Sequence, residues 1–238
     1  MKKFTGLLLI SGCMIFITAL TVKAQTEISA DKKVYDFGII REGKNTPVTF
    51  ILKNNSSKKM RIKEIRTFAA CVESVPLTNK LMHPGDSISL EYIFESLGYG
   101  GVTVNKKIEV YFSKANNPLI LYVRGKVLPL QDYQASIGEM SYNFFVLIDI
   151  RSRDEFIKQH IIGAVHIPSQ KIIEWVQQTI KKSSDELIIY IMSEKGSISD
   201  DTVKTLWQKG YTHVFSLIGG MEEWKKQKGQ DLLISGRY

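Results

Sequence analysis

The hydrophobic rhythm of this chain changes once, close to residue 130, and that change restricts the possible folds more than any other feature of the sequence. Up to Val127 the apolar residues come in short runs rich in Val, Ile, Tyr and Phe. Turn chemistry breaks the runs at Asn54-Asn55-Ser56-Ser57, His83-Pro84-Gly85-Asp86 and Asn116-Asn117-Pro118. Val48–Leu52, Ser87–Phe94 and Lys107–Phe112 alternate or nearly alternate, as half-buried strands of two packed antiparallel sheets do. Past Val127-Leu128-Pro129-Leu130-Gln131-Asp132, strand and helix periods take turns, which marks an α/β domain. Phe144–Asp149 and Glu186–Met192 are the continuous apolar runs of strands buried on both faces of a parallel sheet. Ala164–Pro168 and His213–Leu217 read as shorter strands. Helical spacing covers Ile172–Ile180, Ser199–Lys209, closed by Gly210, and Met221–Lys228. The sequence thus predicts an all-β sandwich over 25–128, a linker at 129–135, an α/β domain with helices flanking a parallel sheet over 136–232, and a tail at 233–238.

Ahead of the first strand, Lys2 and Lys3 precede the apolar stretch Phe4–Val22, which ends in Val22-Lys23-Ala24. A charged start, a hydrophobic middle and small residues before the cut predict a signal peptide over residues 1–24. The expected location is therefore the periplasm, the cell envelope or the medium. Two alternatives stay open. Phe4–Val22 is about long enough to remain as a membrane anchor, although Gly6, Ser11, Gly12 and the threonines dilute it. Ile10-Ser11-Gly12-Cys13 resembles a lipobox with Cys13 as the acylated residue, although cleavage there would leave the apolar Met14–Ile17 at the new terminus. Membrane association is expected only in those two cases.

Loss of residues 1–24 removes Lys2, Lys3 and Lys23, so the net charge falls by three from +8 to +5. The remaining Lys and Arg are scattered among acids, which argues against nucleic-acid binding. Cys13 also leaves, and Cys71 becomes the only thiol, so no internal disulfide can form. A lone exported cysteine is either buried and inert or a partner for intermolecular pairing. No metal or cofactor is expected.

Tyr35-Asp36-Phe37-Gly38, Glu42-Gly43, Phe50 through Asn54-Asn55, and Pro84-Gly85 together resemble the Ig-like exported bacterial family called domain of unknown function 1573. The resemblance covers about 100 residues and implies an Ig-like sandwich. Many members carry Cys-Gly-Cys after the third strand, where this chain has Ala69-Ala70-Cys71, so paired-thiol chemistry is not expected. Phe37 is expected to plug the core, and Gly38 to allow a tight backbone approach.

Ile148-Asp149-Ile150-Arg151, Glu155-Phe156, His160 through Pro168, Gly210-Tyr211 and Leu217 through Trp224 occur in the order and spacing of a rhodanese homology domain, which they closely resemble. In that family the central strand ends in a nucleophilic cysteine followed by the pattern Cys-x-x-Gly-x-Arg-Ser, whose backbone amides wrap the sulfur. Carried onto this chain, the pattern falls on Ser193, Glu194, Lys195, Gly196, Ser197, Ile198 and Ser199. The cysteine position therefore holds Ser193 and the arginine position Ile198. Sulfur transfer runs through a persulfide on a thiolate, and a serine oxygen cannot take that role; a serine also needs an adjacent base, and no histidine lies in the loop. Glu194, Asp200 and Asp201 add negative charge that only Lys195 offsets, which disfavours anionic sulfur donors. Ser193 and Ser199 are expected in capping and turn geometry, and Asp149 and Arg151 are expected to brace the loop. Amides at the start of the Ser199 helix could still bind an anion. The sequence therefore reads as an exported binding or scaffold module with a vestigial loop and no catalytic residues, whose partner is a protein or a small anionic ligand. The alternative reading is a sulfurtransferase of the cell envelope, and residue 193 discriminates between the two.

Overall fold

The computed structural model describes residues 27–67, 72–74, 81–142, 144–180 and 187–236. The expected signal segment and Cys71 lie outside them. The chain forms two domains.

The N-terminal domain contains β1 (Ile28–Ala30), β2 (Val34–Arg41), β3 (Asn45–Asn54), β4 (Met60–Thr67), β5 (Val72–Ser74), β6 (Leu81–Met82), β7 (Ser87–Glu95), β8 (Thr103–Phe112) and β9 (Leu119–Leu128). One sheet runs β1-β3-β7-β5 and the other β2-β9-β8-β4-β6. Alternate residues of both sheets share one core: Val48, Phe50 and Leu52 of β3 and Leu90, Tyr92 and Phe94 of β7 join Ile108 and Val110 of β8 and Leu121 and Val123 of β9. Burial pushes the Tyr92 phenol well above its ordinary pKa.

Not every pairing is antiparallel. β2 runs parallel to β9, with a register shift between Asp36 and Ile39. Gly38 sits in that irregularity at φ +71°, and its amide donates to Asp36 Oδ1 at 2.9 Å. A Cβ on Gly38 would meet nothing within 4 Å, so the residue serves its backbone angle rather than the close approach expected of it. The close approach belongs to Gly125, whose missing Cβ makes room for the Phe37 ring. Phe37 in turn stacks on Phe94 at 4.9 Å between centroids.

The C-terminal domain contains β10 (Gln134–Ala135), β11 (Phe145–Asp149), α1 (Arg153–Lys158), β12 (His160–Ile161), β13 (Val165–His166), α2 (Ile172–Thr179), β14 (Ile188–Met192), α3 (Ser197–Gln208), β15 (Val214–Leu217), α4 (Gly220–Lys228) and β16 (Leu233–Ile234). A five-stranded sheet runs β10-β15-β14-β11-β13 with every pairing parallel. Its central strand β14 is apolar throughout because both faces are covered. Leu147, Tyr190 and Met192 face Phe156 of α1 and Met221 and Trp224 of α4. Ile148, Ile189 and Ile191 face Ile172 and Val176 of α2 and Val203 and Leu206 of α3. Two short segments depart from the sequence reading. Gln134–Ala135, assigned to the linker, join the parallel sheet as β10, and Leu233–Ile234, assigned to the tail, pair antiparallel with β12.

Candidate functional site

The loop of interest leaves the central strand β14 at Met192 and enters α3 at Ser197. Gly196 makes the turn at φ +87°, and a Cβ there would stand 2.7 Å from the Gly219 nitrogen, so both the angle and the space require glycine. Ser193 is 2% exposed. Its Oγ accepts the Ser199 N–H at 3.2 Å and lies 3.1 Å from Ser199 Oγ. The Ser199 hydroxyl gives its single proton to Gly196 O at 2.9 Å and accepts from Ser216 Oγ at 2.9 Å, which makes Ser193 the donor of the pair. The Ser193 proton is thus spent inside a chain of three serines, and its oxygen satisfies one of the free amides of the first turn of α3. Ser199 does not cap the helix by accepting an amide, since the N-cap is Gly196 and the Ser199 hydroxyl bonds back to a carbonyl. Ser197 and Ile198 point outward, and Ile198 is 57% exposed.

Asp149 and Arg151 stand at the end of β11, beside the loop. Arg151 Nε and Nη2 engage both Asp149 carboxylate oxygens at 2.7–3.1 Å, Nη2 also donates to Gln159 O at 2.7 Å, and Nη1 reaches Glu194 Oε2 at 2.9 Å. Burial pulls the guanidinium pKa down, but the bonds and charges of Asp149 and then Glu194 outweigh it and hold the group above its ordinary value. This corrects the charge reading of the loop, because the Glu194 carboxylate is offset by Arg151 rather than by Lys195. Lys195 approaches Glu222 at 3.7 Å with 72% of its side chain exposed, a contact worth little in water. Asp200 accepts from Gln134 Nε2 at 2.7 Å, and Asp201 is exposed.

No histidine enters these bonds. His160 Nδ1 faces Phe156 O at 2.8 Å and His166 Nε2 faces Arg151 O at 2.9 Å, so each directs a proton at a backbone carbonyl. Among the described residues no group of three His, Cys, Asp or Glu could hold a metal ion, and no helix is long and apolar enough to cross a membrane.

A family model of the rhodanese-like domain matches residues 130–227, and a model of the DUF1573 proteins of unknown function matches 28–127. Thiosulfate sulfurtransferase GlpE of Coxiella burnetii is 31% identical over 80 residues, which cover 34% of this chain and 71% of that enzyme. The chain belongs to the rhodanese-like family. A putative sulfur carrier protein, YrkF of Bacillus subtilis, is also 31% identical over 78 residues, 33% of this chain and 40% of that protein. The rhodanese-like domain of the Anabaena protein Alr3790 is 25% identical, with coverage of 44% of this chain and 80% of that one and a TM-score of 0.37.

Within the rhodanese-like domain, the residues singled out from sequence between Ser193 and Ser199 run from the loop into the first turn of α3, and Arg151, paired with Asp149, reaches the loop through Glu194. Ser216 was not singled out. Its only signal is a small polar residue inside the apolar strand run His213–Leu217, a position that its complete burial explains. The Gln159 carbonyl, a partner of Arg151, leaves no trace in sequence because any residue supplies one.

Proposed function

We propose that this is an exported protein in which a rhodanese-like domain without a nucleophile, joined to an Ig-like sandwich, serves as a binding or scaffold module for a protein or a small anionic ligand. The observation that carries this reading is the state of residue 193. Its oxygen accepts one amide, its proton is committed to Ser199, and among the described residues no base hydrogen-bonds to it. Arg151, the buried cation bonded to the loop through Glu194, is engaged by Asp149, Glu194 and the Gln159 carbonyl. Without a thiolate there is nothing to attack the outer sulfur of thiosulfate, release sulfite and carry the persulfide. Glu194 further supports the reading, since it presents a carboxylate to the cation that an anionic donor would otherwise meet.

The names of the curated relatives favour the second reading, a sulfurtransferase of the envelope. Mass spectrometry after incubation with thiosulfate separates the two. The wild type is expected to stay unmodified, whereas Ser193→Cys combined with Ile198→Arg is expected to carry a persulfide on residue 193, and Ser193→Cys alone less of it. In the single variant the thiolate lacks the arginine, and each pKa unit is worth about 1.4 kcal/mol between its protonation states. A sulfur adduct mapped to Ser193 in the wild type would refute the proposal.

A further inference from the structure

The β2–β3 turn of the N-terminal domain is seated on α4 of the rhodanese-like domain. Asn45 N donates to Glu223 Oε1 at 2.6 Å, and Gln227 Nε2 donates both to Gly43 O at 2.8 Å and to the same Glu223 oxygen at 3.0 Å. Glu223 is 1% exposed. A carboxylate is costly to bury unless hydrogen bonds satisfy it, and here one of the donors that offset that cost belongs to the other domain. The Lys226 ammonium, 3.7 Å from Oε2, is mostly in water.

The turn arrives preorganised. Ser96 Oγ holds Lys44 O at 2.6 Å and the Gly98 amide holds Glu42 Oε1 at 2.8 Å. Fit at the seam is close on both sides. A Cβ on Gly43, which has φ +82°, would stand 2.7 Å from Ser136 Cβ, and one on Gly219 would stand 3.3 Å from Lys44 Cε. Arg41 Nη1 also donates to Pro129 O at 2.7 Å, tying the start of the connector to the same turn.

On the other side of the seam, the first turn of α4 holds the loop. Met221 N donates to Ser193 O and Glu222 N to Glu194 O, each at 3.0 Å. Gly220 permits this approach, since a Cβ there would collide with Ser193 O. These amides are the free donors of the helix start, and the loop carbonyls are their acceptors.

We propose that the N-terminal domain is a built-in brace for the rhodanese-like loop: its turn Glu42–Asn45, latched on α4 by Glu223 and Gln227, fixes the helix start whose amides hold Ser193 and Glu194. The loop would then be shaped jointly by the two domains, and a ligand that moves the turn would be felt at the loop.

Amide hydrogen exchange of the full chain tests this, because local opening sets the exchange rate of each amide. Gly43→Ala disturbs the seam from the N-terminal side, and Gln227→Ala removes one half-buried side chain from α4. Both are expected to speed exchange at Asn45, and also at Met221 and Glu222, by about tenfold, while Ile189 and Ile191 in β14 keep wild-type rates. Unchanged Met221 and Glu222, whether or not Asn45 responds, would overturn the proposal. If Gly43→Ala does not fold, Gln227→Ala decides alone.

Discussion

Ser193 stands where the central strand β14 runs out into the loop, and its surroundings make use of its oxygen. The hydroxyl is small enough to sit between the Ser199 amide and the Ser199 hydroxyl, and both of its hydrogen-bonding directions are used. Removing it leaves the Ser199 N–H without its acceptor in a buried position, and a buried unsatisfied group costs about 1–3 kcal/mol. Ser193→Ala is therefore expected to lower the unfolding free energy by about that amount in urea titration, with no change in slope. A loss within a few tenths of a kcal/mol would mean that the serine chain is not structural. Arg151 shows the same economy. Its side chain is bonded to Asp149, Glu194 and the Gln159 carbonyl, and its raised pKa follows from the two carboxylates.

Helix α1 begins with a capping box that the sequence spells out as Ser152-Arg153-Asp154-Glu155. Ser152 Oγ accepts the Glu155 amide, and the Glu155 carboxylate accepts the Ser152 amide and hydroxyl, which holds the Glu155 carboxyl below its ordinary value. A depressed carboxyl contributes stability above its unfolded pKa and loses it as pH falls through the folded one, so this contribution is present at neutral pH and disappears under acid. Ser152→Ala is expected to cost about 1 kcal/mol at neutral pH and less in acid, as read from thermal unfolding at the two conditions. Helices α2 and α3 and strand β14 were legible because a sustained period lies wholly within a short window of sequence. β10, β12 and β16 have two residues each, too few to show any period, and they exist only because a partner strand is supplied from elsewhere in the chain. The parallel pairing of β2 with β9 was hidden for a related reason, since alternation fixes which face a residue occupies but not the direction of its neighbour. At the site, the resemblance to the rhodanese pattern located the seven positions Ser193 to Ser199. It could not show that Glu194 meets Arg151, 43 residues away, because a charge count does not say which charges are adjacent.

At the scale of the molecule, the two hydrophobic cores are separate: one lies between the two N-terminal sheets, and the other covers both faces of the parallel sheet. The connector between them is shorter than the sequence suggests, because it begins at Pro129, held by Arg41, and ends where Gln134 enters β10. The shortness of that link and the bonds from Asn45 N to Glu223 and from Gln227 to the Gly43 carbonyl put the N-terminal turn against the helix that supports the loop. On the proposed function, the loop keeps its glycine and its supporting helix while the group that would do the chemistry is replaced. The most direct measurement of that claim is thiocyanate release from thiosulfate and cyanide by the purified wild-type chain, beside Ser193→Ala. Neither protein is expected to show cyanide-dependent sulfur transfer. Turnover by the wild type that Ser193→Ala abolishes would contradict it.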